Sequence, residues 1–201
     1  MMKTILKLII TILLLSTSYP LFCPAEELPA PFEDNDKWGY IDGRGKEIIP
    51  PQFIIAFDFS PEGIAAVVDT NGWAYIDTKG GIVIRPFVFD NGPDPFKDGL
   101  ARFLIAGKIG YFDTRGRVVI APMFDFGRPF SEGLAVVCSG CEKVYQGEHW
   151  AMQGGEWGYI DKQGNLVIPL KFMSARDFRH GSAKVMLDDN WMVIDHNGRE
   201  K

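Results

Sequence analysis

From Lys37 onward the chain alternates short apolar strands with polar turns, and the alternation recurs on a nearly fixed period. In Trp157-Gly-Tyr-Ile-Asp161 the side chains of Trp157, Tyr159 and Asp161 fall on one face of a strand, and those of Gly158 and Ile160 on the other. Aromatic and β-branched residues suit such a half-buried pleated surface. Asp161-Lys-Gln-Gly164 follows. An Asp carboxylate can accept a backbone N–H two residues on, and the Gly takes the left-handed position that closes the turn. Leu166-Val-Ile168 reads as the return strand. Pro169, with no N–H for the ladder, is expected to end it. The second half of the unit reads Phe-x-x-Gly and then a short strand, as in Phe130-Ser-Glu-Gly133-Leu-Ala-Val-Val137.

The same frame begins at Trp38, Trp73, Ile109, Trp157 and Trp191. The steps are 35, 36, 48 and 34 residues, so about a dozen residues are inserted in the third unit, within Ser139–Glu156. The pattern predicts an all-β protein of about four and a half units of ~35 residues, with roughly three strands each. The units run near 37–72, 73–107, 108–156 with the insert 139–156, 157–190 and a partial 191–201. An isolated three-stranded unit is marginal, so neighbours must stack in an open twisted array. A β-propeller-like arrangement is the alternative, although propeller blades usually have four strands and a longer repeat. No segment has the long 3.6-residue period of a helix.

The chain resembles the WG-repeat (KWG-repeat) proteins. Lys37-Trp38-Gly39-Tyr40-Ile41-Asp42 and Trp157-Gly158-Tyr159-Ile160-Asp161 carry the signature, with Phe130-Ser-Glu-Gly133-Leu-Ala behind it. The resemblance covers nearly everything after Asp36. It implies a β-repeat domain with an interaction role, and it implies no catalytic residues.

The N-terminus reads as an export signal over residues 1–25. Lys3 and Lys7 precede the apolar run Leu8–Leu15, which is too short to span a bilayer as a mature helix. Cleavage is expected after Ala25, with Ser18 as the alternative. Phe22 and Pro20 before Cys23 do not fit a lipoprotein signal. Polar residues 26–36 read as a linker. Loss of residues 1–25 removes two Lys and no acid, so 19 basic residues face 26 acidic ones, a formal charge of −7. An acidic surface argues against nucleic acid and against a membrane surface as partner.

Candidate chemistry is sorted by recurrence. A structural group is needed once per unit, a catalytic group only once. Asp42, Asp77, Asp113, Asp161 and Asp195 recur in the five turns and read as turn-formers. The departures lie in the insert, where Cys138, Cys141, Tyr145, His149 and Trp150 cluster. In an exported chain, Cys138 and Cys141 read first as a disulfide. A redox pair, or a metal site of Cys138, Cys141 and His149, is the alternative. Tyr145, His149 and Trp150 are the candidate partner-binding residues. No catalytic, cofactor-binding or metal residue is assigned. The expected function is an exported, non-enzymatic binding or scaffold module, with a protein partner in the bacterial envelope. An envelope enzyme or metal/redox site on the insert, or a carbohydrate-binding module using Trp150 and Tyr145, are the alternatives.

Overall fold

The computed structural model describes residues 27–147 and 149–201. The signal expected over residues 1–25 lies outside the described residues. Every regular element among those described is a strand, and the strands form successive small antiparallel sheets. The first sheet is β1 (Ala30–Asp34), β2 (Lys37–Ile41) and β3 (Glu47–Phe53). The second is β4 (Ile55–Ala56), β5 (Ile64–Asp69), β6 (Gly72–Asp77) and β7 (Ile82–Ile84). A two-stranded ribbon of β8 (Val88–Phe89) and β9 (Gly92–Pro93) precedes the third, which is β10 (Leu100–Ile105), β11 (Lys108–Asp113) and β12 (Val118–Phe124). The fourth is β13 (Phe126–Gly127), β14 (Ala135–Gln146), β15 (His149–Ile160) and β16 (Leu166–Phe172). The fifth is β17 (Ser174–Ala175), β18 (Ala183–Leu187) and β19 (Asn190–Ile194).

The sheets are out of phase with the sequence units. The strand after each Phe-x-x-Gly pairs with the Trp strand of the next unit, as in Ala65↔Ile76 and Ala135↔Ile160. Each sequence unit therefore belongs to two sheets, which couples neighbours through backbone hydrogen bonds as well as through packing. The partial last unit completes the fifth sheet in this way, with Ala183 opposite Ile194.

The same logic corrects the linker expected at 26–36. Ala30–Asp34 takes the place beside β2 that the end of the preceding unit takes in the other sheets, with Pro31 opposite Tyr40. It is an edge strand, where a Pro is tolerated.

Pro169 does not end its strand as expected, and its counterparts in two other units behave in the same way. β3, β12 and β16 run through Pro50-Pro51, Pro122 and Pro169. Each lies at a sheet edge, and each bulges there. The register shifts between Trp157 and Tyr159, and the extra residues of β16 press over Gly158. A Cβ on Gly158 would sit 2.6 Å from the Ile168 carbonyl oxygen, 2.8 Å from that of Pro169 and 2.9 Å from the Leu170 nitrogen. Gly39 faces the Ile49–Pro51 backbone in the same way. Here lies the physical need for Gly after Trp. The second unit carries Ala74 because β7 stops at Ile84, before such a bulge.

Four apolar clusters join successive sheets. Tyr40, Ile49 and Phe53 of the first meet Val67 and Ile76 of the second. Ile84 meets Phe103 and Phe112 of the third. Tyr111 and Ile120 meet Val137 and Ile160 of the fourth. Tyr159, Ile168 and Phe172 meet Val185 and Ile194 of the fifth. Among the described residues no cluster joins the first sheet to the fifth, so the stack is open. Its seams are also pinned by polar bonds. The hydroxyls of Tyr40, Tyr111 and Tyr159 donate to the carbonyls of Phe57, Arg128 and Arg176, each 17 residues on.

Candidate functional site

The insert is a lengthening of one hairpin. β14 and β15 pair without interruption of register from Ala135↔Ile160 to Gln146↔His149. Cys138 and Cys141 sit three residues apart on β14, a spacing that sends side chains to opposite faces of a regular strand. The backbone turns between them. Gly140 and its neighbour across the ladder, Gly155, have φ of 77° and 66°. The two cysteines are joined as a disulfide across this bend, with Cα atoms 6.2 Å apart.

Other groups hold the bend. The Asp125 carboxylate accepts the Gly140 N–H at 2.8 Å and the Lys108 ammonium at 2.5 Å. The Lys108 hydrogen bond, followed by that of Gly140, holds the Asp125 carboxyl below its usual range. The Trp157 indole donates to the Gly154 carbonyl at 3.1 Å.

Beyond the bend the hairpin carries an aromatic row. Phe126 packs edge-on against Trp157 and Trp150, with ring centroids 6.0 and 6.1 Å away. Tyr145 and Trp150 are cross-strand partners. The Lys143 ammonium lies 4.5 Å from the Trp150 ring and 5.0 Å from the Tyr145 ring. Tyr145 is 67% exposed and Trp150 41%. A cleft of about 320 Å³ opens beside this row, lined by Phe87, Leu104, Asp125, Lys143, Trp150 and Met152 among others.

The structure thus brings Tyr145 and Trp150 together. It pairs the backbone of His149 with Gln146, while the His149 side chain lies outside the described residues. The bond between Cys138 and Cys141 consumes both thiols, so the metal reading of Cys138, Cys141 and His149 loses its sulfur ligands. Among the described residues no group of three or more His, Cys, Asp or Glu is arranged to hold a metal.

The five turn aspartates stay apart, each in its own bend. Asp161 accepts the N–H groups of Gln163 and Asn165, both at 2.9 Å. Asp42, Asp77, Asp113 and Asp195 accept from residues two and four on in the same way. The Lys46 N–H first, then that of Arg44, lowers the Asp42 carboxyl from its usual range, and Arg199 does so first for Asp195.

Sequence reasoning overlooked a buried ion pair at the root of the third sheet. Arg102 makes a two-pronged bond to Asp94, Nε to Oδ2 at 3.0 Å and Nη2 to Oδ1 at 2.6 Å, and its Nη1 donates to the Gly127 carbonyl. Both side chains are buried, 5% and 1% exposed. One signal was present. Arg102 occupies a column that Ala66, Val136 and Lys184 fill in the other units.

Segments 38–73, 73–108, 109–140 and 157–191 each match the family model for the WG containing repeat. The chain belongs to the WG-repeat family. The third match ends at residue 140 and the fourth starts at 157, so this WG-repeat protein lengthens one of its repeat hairpins with residues 141–156, which lie outside the family pattern. No curated protein matches the chain. Among solved structures, one titled "Crystal structure of the eukaryotic initiation factor" is similar at 11% identity, with a TM-score of 0.38. The similarity covers 89% of this chain and 53% of that one, so the chain spans about half its length.

Proposed function

We propose that this WG-repeat protein is an exported, non-enzymatic binding module whose bent hairpin engages a protein partner in the bacterial envelope. The observation that carries the reading is the exposed Tyr145–Trp150 pair, with Lys143 against both rings, on a hairpin extension that the family pattern does not require. Tyr and Trp side chains have few rotatable bonds and lose little entropy on binding, and they dominate interface energetics. The adjoining apolar cleft gives an anchor residue somewhere to enter. Export is supported by the charged and apolar start of the sequence and by a disulfide suited to an oxidising compartment.

Cys141 and Gly154 face each other across the ladder, so residues 142–153 can be replaced by an Asn-Gly turn. The disulfide and all four repeat matches are then left intact. The shortened protein and Trp150→Ala should fold, and both should lose most of a partner captured by the intact protein from envelope extracts. Equal capture by all three sinks the proposal. So does turnover of a small substrate that disappears with His149→Ala.

A further inference from the structure

A separate cleft of about 450 Å³ lies between the second and third sheets, far in sequence from the bent hairpin. Its walls are the rings of Phe57, Trp73, Tyr75 and Phe96, and Asp58 and Glu62 also line it. Phe57 and Trp73 lie 5.8 Å apart, as do Tyr75 and Phe96. The Trp73 indole is fixed by its bond to the Asn91 carbonyl at 3.0 Å.

The cleft exists because this seam differs from the others. The third sheet presents Phe103 where its counterparts present Val67, Val137 and Val185, and Phe112 where the others have Ile41, Ile76, Ile160 and Ile194. These rings form a block behind Tyr75, with Phe112 5.7 Å from it. At the other seams the equivalent Tyr–Phe ring pairs are 4.9 to 5.0 Å apart, and the Tyr hydroxyl is bonded across the seam. The Tyr75 pair is wider, and its hydroxyl has no such bond among the described residues.

The acids differ too. Asp98 and Glu132 accept the N–H of Gly133 and Gly181 in the next unit, at 2.8 and 3.0 Å. Glu62, their counterpart, sits in a loop with one extra residue and makes no such bond among the described residues. Asp58 likewise has no hydrogen-bond or ion-pair partner among them. Among the described residues no Lys or Arg lines the cleft. The Ser60 hydroxyl is buried without a hydrogen-bond partner among the described residues.

We propose that this cleft binds a small quaternary ammonium compound, with the cation against the aromatic faces and Asp58 and Glu62 supplying the opposing charge. The walls are predominantly apolar. They cannot replace the water around a primary ammonium, but they suit a weakly hydrated cation held by ring quadrupoles. The volume lies within the range of small-molecule sites. The site is independent of the partner reading above.

The test is titration of the purified protein with choline and with 3,3-dimethylbutan-1-ol, its uncharged isostere, followed by nitrogen-correlated NMR. The Trp73 indole N–H is the reporter. Choline should shift this signal saturably, at least about 10-fold more tightly than the alcohol. Asp58→Asn with Glu62→Gln should weaken choline binding about 10-fold at unchanged thermal stability, because neither acid is bonded to another described residue. Phe57→Leu, at a half-exposed ring, should weaken it several-fold. Equal binding of the alcohol overturns the proposal, as does no saturable shift. Tighter binding of N-acetyl-lysine amide or N-acetyl-arginine amide overturns it in favour of a basic side chain from a protein.

Discussion

Gly158→Ala tests the reason for the WG dipeptide. The added methyl would sit 2.6, 2.8 and 2.9 Å from three backbone atoms of β16. None of them can rotate aside, so β16 must move by about 0.8 Å to restore the 3.4 Å at which ordinary contact begins. That movement drags Ile168 and Phe172, each 1% exposed, out of the seam with the fifth sheet. Overpacking of this kind costs about 1–3 kcal/mol. The reduced freedom of the unfolded chain returns roughly 0.4–1 kcal/mol. A net loss of about 1–1.5 kcal/mol follows, or a Tm lower by roughly 2–6 °C for a chain of this size.

Ala74, at the same repeat position in the second unit, is the internal control. No bulge covers it, and it is 1% exposed. Ala74→Gly should also destabilise, by about 1 kcal/mol, through the lost methyl and the added backbone freedom. Urea unfolding at constant m, followed by tryptophan fluorescence, measures both. A Gly158→Ala protein as stable as the parent, within about 0.5 kcal/mol, would mean that close approach is not what demands glycine here.

Tyr159→Phe strands the Arg176 carbonyl and should cost about 1–2 kcal/mol, whereas Tyr75→Phe, with no such bond to lose, should be near neutral in the same urea assay. Asp94→Ala leaves the Arg102 guanidinium buried and unpaired, and should cost about 3–5 kcal/mol. Asp94→Leu with Arg102→Met should recover most of that loss, and a single variant no worse than the double would refute the pairing. The turn carboxyls set the acid response. Asp42, Asp161 and Asp195 are held below the usual carboxylate range, chiefly by Lys46 N–H, the Asn165 side chain and Arg199 N–H. A lowered folded pKa means the stabilisation is complete above the unfolded value of about 3.9 and fades as pH falls through the folded one. Stability should therefore be flat from neutral pH down to roughly 5 and drop below about 4, with Asp161→Asn showing a shallower drop.

Much of the fold was legible because its information is local. Asp and Gly at fixed offsets shape each bend, and period-two alternation shapes each strand, so hairpins, all-β class and repeat number follow from short stretches read alone. The departure of residues 139–156 from the period likewise marked the hairpin that carries Cys138, Cys141, Tyr145 and Trp150. What depends on a second segment was not legible. The phase of the sheets, in which the end of one unit pairs with the start of the next, required a neighbour. So did the strand in residues 30–34, which forms because β2 has an empty edge. Pro169 reads locally as a stop, yet the edge position of β16 and the bulge over Gly158 let the strand continue. The Asp94–Arg102 pair and the cleft behind Trp73 arise where two sheets meet, and their energies come from desolvation that only the packed seam creates.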